Sequence, residues 1–237
     1  MWLLDTPLAH RGLHGEDVPE NSRPAFAAAA EAGYGVELDV RLTVDGMPIV
    51  VHDPDLRRAT GTDLRVGEIT ASRLAGLSLR DTDEPVPTLP QALGAVRGRT
   101  PVMVEIKSLR MAPGRIEPVV AAVLDAYEGP VCVATFNPRT LLWFRHHRPS
   151  VPRVLTAGPL HGWPLPASLR RRLSDLRDAA AVTPAAVSYE LAGLPSQVTD
   201  AWRSAGGALV TWTVRNERQL QRARALADNV IFEHVRP

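Results

Sequence analysis

Residues 35–40 read Gly-Val-Glu-Leu-Asp-Val, a short apolar run that carries two carboxylates. Comparable runs stand at residues 101–106, 131–135 and 208–214, and several are rich in valine without regular alternation of polar residues. Strands buried on both faces have this pattern, and such strands are typical of parallel sheets. The stretch therefore predicts a buried parallel strand in which the two acidic residues need an explanation.

Short apolar runs alternate with helical stretches along the whole chain. We identify nine runs, at residues 8–9, 35–40, 48–51, 101–106, 131–135, 153–156, 185–188, 208–214 and 229–232. Repeated alternation of strand and helix predicts an α/β fold with a parallel sheet. No glycine-rich nucleotide loop follows the first run, so we expect one closed TIM (β/α)8 barrel. A barrel needs eight strands, so one run must lie outside it or form no strand.

The composition fits one domain that spans residues 1–237. Apolar residues make up 45% of the chain, and the net charge of +1 argues against nucleic acid as the main partner. We find no run of about 18 apolar residues and no signal-peptide pattern, so we expect a cytoplasmic protein without stable membrane insertion. The single cysteine, Cys132, is expected in the core. The sequence leaves the oligomeric state open.

Polar residues stand where the predicted strands end. The carboxyl ends of parallel strands meet on one rim of a barrel, and TIM-barrel enzymes have their active sites on this rim. Glu37 and Asp39 are two apart, so their side chains share one face, and a divalent cation would relieve their repulsion. With Glu105 from another strand, the oxygen ligands suit Mg²⁺ or Ca²⁺. The alternative is that one carboxylate pairs with Arg41 or Lys107 and the other is solvated.

Two histidines follow strand ends on the same predicted rim. His10 and His52 are candidates for general acid and base, because imidazole titrates near neutrality and cleavage of a phosphodiester needs one proton removed and one supplied. Lys107 is the only lysine beside 26 arginines and lies two residues after Glu105. We interpret it as a partner for phosphate or carboxylate, and Arg11 as a second phosphate contact. His14, His146 and His147 are expected on the surface.

Seven motifs occur in order along the chain, and together they resemble the glycerophosphodiester phosphodiesterase family, whose fold is a phosphatidylinositol-phospholipase-C-like TIM barrel. The resemblance covers about residues 8–235. The motifs are His10-Arg11-Gly12, Pro19-Glu20-Asn21-Ser22, Glu37-Leu38-Asp39-Val40, Thr43-x-Asp45-Gly46, Val51-His52-Asp53, Glu105-Ile106-Lys107 and Trp212-Thr213-Val214.

The resemblance implies metal-dependent hydrolysis of a small glycerophosphodiester to glycerol 3-phosphate and an alcohol. His10 and His52 match the family's catalytic pair, and the three carboxylates match its metal ligands. The phosphate or substrate positions would be Arg11, Glu20, Lys107, Phe136 and Trp212. Family analogy supports attack by the glycerol 2-hydroxyl through a cyclic phosphate, although the residues do not choose this over direct attack by water.

Two positions depart from the family pattern, and both fall in the second half of the expected pocket. Arg215 precedes Asn216 after the Trp-Thr-Val motif, and the last strand ends in Phe232-Glu233 instead of Thr-Asp. They leave the head group of the substrate undetermined. The alternatives are a lysophospholipase D- or C-like activity on lysophospholipids and a non-catalytic ligand-binding barrel.

Overall fold

Eight parallel strands close on themselves in this computed structural model, which describes residues 2–108 and 112–237. β1 pairs with β2 on one side and with β9 on the other, so the sheet has no free edge in the barrel. The described strands are β1 (Leu8–His10), β2 (Gly35–Leu42), β3 (Pro48–Val50), β4 (Val102–Ile106), β5 (Val131–Thr135), β6 (Arg153–Ala157), β7 (Ala186–Glu190), β8 (Leu209–Val214) and β9 (Asn229–Phe232). The predicted TIM barrel is confirmed.

β3 is the run that lies outside the barrel. It pairs antiparallel with β2, with Val50 opposite Val40, and the Val51 amide then donates to the carbonyl of Asp39. The expectation that His52 follows a parallel barrel strand is therefore wrong. His52 reaches the same rim because the hairpin turns back along β2 to the level of Asp39.

Helices cover the outside of the barrel, and several of them begin at side-chain caps. Ser22 accepts a hydrogen bond from the Ala25 amide, and Thr88 forms a capping box with Gln91. The described helices are α1 (Trp2–Asp5), α2 (Arg23–Glu31), α3 (Arg57–Thr60), α4 (Ala71–Leu74), α5 (Leu89–Val96), α6 (Ile116–Asp125), α7 (Pro138–His147), α8 (Ala167–Ser174), α9 (Ala179–Val182), α10 (Gln197–Ser204) and α11 (Glu217–Leu226). None of these helices is long and apolar enough to cross a membrane.

The polar stretch after β3 is more structured than a loop. It contains α3, a 3₁₀ turn at Val66–Glu68 and α4. Its apolar side chains form a small core of their own, which includes Ile49, Leu56, Ile69 and Leu74. This core holds the segment against the rim of the barrel, beside the end of β2.

The barrel interior changes character along the strands. Near the amino ends it is filled by apolar side chains, including Leu8, Met103 and Cys132, and burial raises the pKa of the Cys132 thiol. His10 and Glu105 follow Leu8 and Met103 at a spacing of two, so they point into the same interior at a higher level. The polar rim therefore lies directly above a layer of buried apolar side chains. Cys132 belongs to this layer, so its predicted place in the core is confirmed.

Candidate active site

A cavity of about 300 Å³ opens at the carboxyl ends of the barrel strands. Its walls bring together eight of the ten predicted site residues, from five strands or strand ends and the β2–β3 hairpin. These eight are His10, Arg11, Glu37, His52, Glu105, Lys107, Phe136 and Trp212. The remaining two, Asp39 and Glu20, contact lining residues from behind.

The three carboxylates form one cluster. Asp39 on β2 lies directly opposite Glu105 on β4 in the strand register. Glu37 precedes Asp39 by two residues, so its side chain lies on the same face of β2. One oxygen from each of the three lies within 4.8 Å of the others. Such a cluster of hard oxygen donors could hold a divalent cation.

Lys107 compensates part of this negative charge. Its ammonium nitrogen lies 2.7 Å from Asp39 Oδ1 and 2.5 Å from Glu105 Oε1. Burial would lower the pKa of Lys107, but the two carboxylates raise it above its usual value. The alternative pairing of a carboxylate with Lys107 is therefore present, whereas Arg41 has no ion pair among the described residues and its Nε donates to the His52 carbonyl at 2.8 Å.

The two carboxylates of β2 titrate in opposite directions. Burial raises the pKa of Glu37 well above its usual value, and the negative charges of Asp39 and Glu105 raise it further. Burial also opposes ionisation of Asp39, but Lys107 leads a set of cationic neighbours that holds its pKa well below the usual range. Within the pair, the surroundings therefore favour ionisation at Asp39 and disfavour it at Glu37.

The loop after β1 supplies the groups that hold these carboxylates. The Arg11 amide donates to Glu37 Oε2 at 3.1 Å, and the Asn21 side chain donates to Asp39 Oδ2 at 2.9 Å. Arg11 and Asn21 both adopt left-handed backbone conformations, with φ of 56° and 55°. Gly12 follows at φ 83°, where a Cβ atom would approach Ala25 to 2.7 Å. The tight turn of the His-Arg-Gly motif is thus needed to aim the Arg11 amide.

His10 pairs with a residue that the sequence analysis treated as a departure from pattern. Its Nδ1 lies 3.1 Å from Glu233 Oε2, and Arg215 Nε lies 3.2 Å from the same oxygen. Burial lowers the pKa of His10, whereas the bond to His10 lowers the pKa of Glu233 to about 2. Nothing in the sequence indicated this contact, because 223 residues separate the two partners.

His52 also has a carboxylate at its Nδ1. Asp53 Oδ1 lies 2.7 Å away, and Asp53 Oδ2 in turn accepts from Arg58 Nε at 2.6 Å. These bonds hold the pKa of Asp53 well below its usual range, with the bond to His52 as the largest cause. The Val-His-Asp motif therefore contains its own orienting carboxylate, which the sequence analysis did not assign.

Aromatic side chains form the opposite wall of the cavity. Phe136 packs against Trp163 and Trp212, with ring centroids 5.4 and 5.8 Å apart. The Trp212 indole donates to the Ser188 carbonyl at 3.1 Å, which orients the ring. Trp163 follows β6 and carried no motif that could have predicted its place in the wall.

Glu20 and His14 lie in places that differ from those expected from the sequence. Glu20 pairs with Arg11 and Arg58 at 2.8 Å each and lines a neighbouring cavity, so its link to the candidate active site runs through Arg11. The expectation that His14 is exposed is wrong, because the loop folds over the rim and leaves its side chain 11% exposed beside Glu233. His146 and His147 are exposed at the end of α7, as predicted.

The order and spacing of these residues match a known family. The model of the glycerophosphoryl diester phosphodiesterase family matches residues 10–236. The chain belongs to this family. The sequence resemblance is therefore confirmed over nearly the full length, including the rim segments that carry the cavity.

Individual relatives agree with this membership. The chain is 34% identical over 144 residues to the glycerophosphodiester phosphodiesterase of Caldanaerobacter subterraneus. The aligned region covers 56% of this chain and 59% of that protein. It is 30% identical over 163 residues to glycerophosphodiester phosphodiesterase 1 of Mus musculus, and this aligned region covers 64% of this chain and 49% of that protein. The match thus spans about half the length of these curated relatives.

A solved structure shares the fold over a longer span. The phosphodiesterase of Oleispira antarctica, determined in complex with the product sn-glycerol-3-phosphate, superposes with a TM-score of 0.80. The superposition covers 96% of this chain and 92% of that chain at 21% sequence identity. At this identity the comparison supports the barrel architecture.

Proposed function

We propose that this protein hydrolyses glycerophosphodiesters to glycerol 3-phosphate and an alcohol. The observation that carries the proposal is the convergence of two imidazoles, three carboxylates and two cationic side chains on one rim cavity of a family member. A phosphodiester is an anion, and its cleavage requires charge neutralisation and two proton transfers. The cavity contains a candidate group for each requirement.

Glu37, Asp39 and Glu105 would hold a divalent cation. Their donor set fits Mg²⁺ or Ca²⁺, because all three ligands are carboxylate oxygens and a single small cation could contact oxygens that lie within 4.8 Å of one another. Burial raises the pKa of Glu37 and so disfavours its ionised form. A bound cation would favour the ionised form again. When bound, the cation would supply Lewis-acid stabilisation of the phosphate.

His10 and His52 would move the two protons. Burial lowers the pKa of His10, so its imidazole is neutral near pH 7 and can accept the proton of the attacking oxygen. His52 would donate a proton to the alcohol oxygen as the P–O bond breaks. In each case a carboxylate at Nδ1, Glu233 or Asp53, leaves Nε2 for the reaction.

Arg11 and Lys107 would position the phosphate. Both line the cavity, and both are charged groups whose side chains are about one-tenth exposed, at 13% and 12%. The aromatic wall of Phe136 and Trp212 would receive the carbon face of the glycerol moiety, because flat apolar rings pack against CH groups without competing for the phosphate. The glycerol would thus face the aromatic side and the phosphate the charged side.

A product assay tests the proposal. Purified protein with added Mg²⁺ or Ca²⁺ is incubated with glycerophosphocholine, glycerophosphoethanolamine and glycerophosphoglycerol, and glycerol 3-phosphate is quantified. We expect release from at least one diester, and a loss of about 10³-fold for His52→Ala. His146→Ala is the matched control, since His146 is exposed and distant from the cavity. Absence of glycerol 3-phosphate from every diester would contradict the proposal.

A substrate analogue separates the two routes of attack. A glycerophosphodiester that lacks the 2-hydroxyl is cleaved at an unchanged rate if water attacks phosphorus directly. If the 2-hydroxyl attacks first, the analogue is inert and the natural diester gives a transient cyclic phosphate. We expect the inert analogue, because the family resemblance supports the cyclic route and the aromatic wall would hold the glycerol carbons beside the phosphate.

A further inference from the structure

A second cavity of about 290 Å³ lies beside the first on the rim. Lys107 lines both cavities, so the second one begins where the phosphate would be held. The other charged residues in its wall are Arg41, Arg65, Glu68 and Arg115. Lys107 is already bound by Asp39 and Glu105. Among the described residues of the wall, three arginines therefore share the cavity with the single carboxylate of Glu68.

The arginines come from three separate segments that the fold brings to one place. Arg41 lies near the end of β2, Arg65 precedes the 3₁₀ turn of the segment after β3, and Arg115 is the residue before α6. Arg65 is held there because the Val66 amide donates to the Pro54 carbonyl. Their convergence is thus a property of the tertiary fold, since no basic cluster exists in the sequence at these positions.

These guanidinium groups lack acidic partners. Within residues 2–108 and 112–237, no ion pair involves Arg41, Arg65 or Arg115, although Glu68 shares the cavity wall. Many other arginines of the chain are paired, such as Arg23 with Glu84 at 2.6 Å. Arg41 lies deeper and is partly compensated: burial lowers its pKa, while the nearby carboxylates, with Asp39 as the largest contributor, raise it. The uncompensated positive charge of the cavity is therefore that of Arg65 and Arg115, which are exposed and have no ion pair among the described residues.

The cavity on the other side of His52 differs in this respect. Its two arginines, Arg58 and Arg80, share the wall with three carboxylates, those of Glu16, Glu20 and Asp81. Arg58 is also bound directly by Glu20 and Asp53. Of the two cavities that border the candidate active site, the one next to Lys107 is therefore the one with an excess of cationic side chains.

We propose that the second cavity binds an anionic group, a phosphate monoester or a carboxylate, carried by the alcohol part of the substrate. The proposal rests on the proposed diesterase function and names its preferred substrate class: glycerophosphodiesters with a second negative charge beyond the scissile phosphate. Arg65 and Arg115 would contact the second charge directly, since both are exposed and without ion-pair partners in the described part of the chain. Cationic head groups such as choline would gain nothing there.

The test uses two substrates that differ by one phosphate: glycerophosphoglycerol and the same diester with a terminal phosphate monoester. Wild-type protein should show the lower KM for the phosphorylated diester. In the Arg65→Gln/Arg115→Gln variant that KM should rise roughly fivefold, as two exposed charge contacts are lost. The KM for glycerophosphoglycerol should stay within about twofold of wild type.

The control variant is Arg224→Gln, which removes one positive charge from the exposed face of α11, away from this cavity. It should leave both KM values unchanged. Equal KM values of wild type for the two diesters, or an equal change for both in the double variant, would overturn the proposal while leaving the diesterase function intact.

A binding measurement separates this proposal from the proposed function. Calorimetric titration of chelator-treated protein with each diester reports affinity even if neither is hydrolysed. Tighter binding of the phosphorylated diester, lost in the double variant, supports the subsite; equal binding overturns it. Titration with inorganic phosphate distinguishes the source of the anion: if phosphate alone binds through Arg65 and Arg115 while the two diesters bind equally, the cavity takes a free anion and the head-group proposal is wrong.

Discussion

The two halves of the cavity wall are built differently. The half formed by β1, β2 and β4 carries charged side chains that bond to one another, such as Lys107 with Asp39 and Glu105. The half formed by β5, β6 and β8 and the residues after them presents three aromatic side chains, in which the Phe136 ring packs against those of Trp163 and Trp212. The same barrel thus holds a dense electrostatic network opposite a cluster of aromatic rings.

The two halves of the wall should respond differently to substitution. Charges in the first half depend on each other, so the loss of one partner leaves a buried ion without compensation. Rings in the second half contribute through contact area, which scales with the size of the side chain. We therefore expect large, coupled effects of substitution in the charged half and smaller effects in the aromatic half.

Asp39→Asn should give the largest effect. Asp39 is 1% exposed and contacts Lys107 and Arg11, so the variant removes one of the two carboxylates that each of these buried cations contacts. We expect kcat/KM to fall by about 10³-fold and the free energy of unfolding to fall by about 3 kcal/mol. Denaturant titration and product assay measure the two losses. Asp200→Asn, an exposed carboxylate on α10, is the control, and equal behaviour of the two variants would contradict the network.

Glu233→Gln should reduce kcat by about tenfold to a hundredfold, because Glu233 orients the His10 ring without contacting substrate. The carboxylate also favours the protonated imidazole, so one limb of the pH profile of kcat/KM should move to lower pH in the variant. Glu233→Asp should restore part of the rate. A reduced kcat with unmoved limbs would show that Glu233 supports the rim without tuning His10.

Trp212→Ala should raise KM for glycerophosphodiesters by about tenfold with little change in kcat, since the ring would bind glycerol equally in ground and transition states. Trp212→Phe keeps an aromatic face and should stay closer to wild type. Steady-state kinetics on one diester measure both variants. A loss confined to kcat would remove Trp212 from glycerol binding.

The acid stability of the protein should depend on Glu233 to a smaller extent. Its folded-state pKa is about 2 against an ordinary value of 4.5, so its ion pairs stabilise the fold above pH 4.5 and are lost as the pH falls toward 2. Glu233→Gln should therefore lose less unfolding free energy between these pH values than wild type. Parallel pH series of Tm would show the same slope for both proteins if the pair contributes nothing.

Much of the charged half was predictable from sequence. Glu37 and Asp39 could be assigned to one face because a strand has a period of two, and His10 and Glu105 to the same rim because parallel strands end together. The place of His52 was predicted for the wrong reason, since β3 is an antiparallel hairpin strand. A three-residue strand carries no sequence signal of its direction.

The contacts that depend on distant segments could not be predicted. Glu233 reaches His10 because β9 and β1 close the barrel, and Trp163 joins the aromatic wall through a loop without a motif. His14 was misjudged because a loop that folds over a rim buries polar residues without apolar periodicity. A closed barrel brings the first and last strands together, but local patterns do not specify which side chains at their ends come into contact.

The most direct test of the account is the metal dependence of glycerol 3-phosphate release. Protein treated with a chelator is assayed on the diester that it cleaves best, before and after addition of Mg²⁺ or Ca²⁺. We predict less than about 1% of full activity without a cation and recovery with one, because Glu37, Asp39 and Glu105 would hold the ion that neutralises the phosphate. Full activity in the presence of chelator would contradict the central role assigned to the carboxylate cluster.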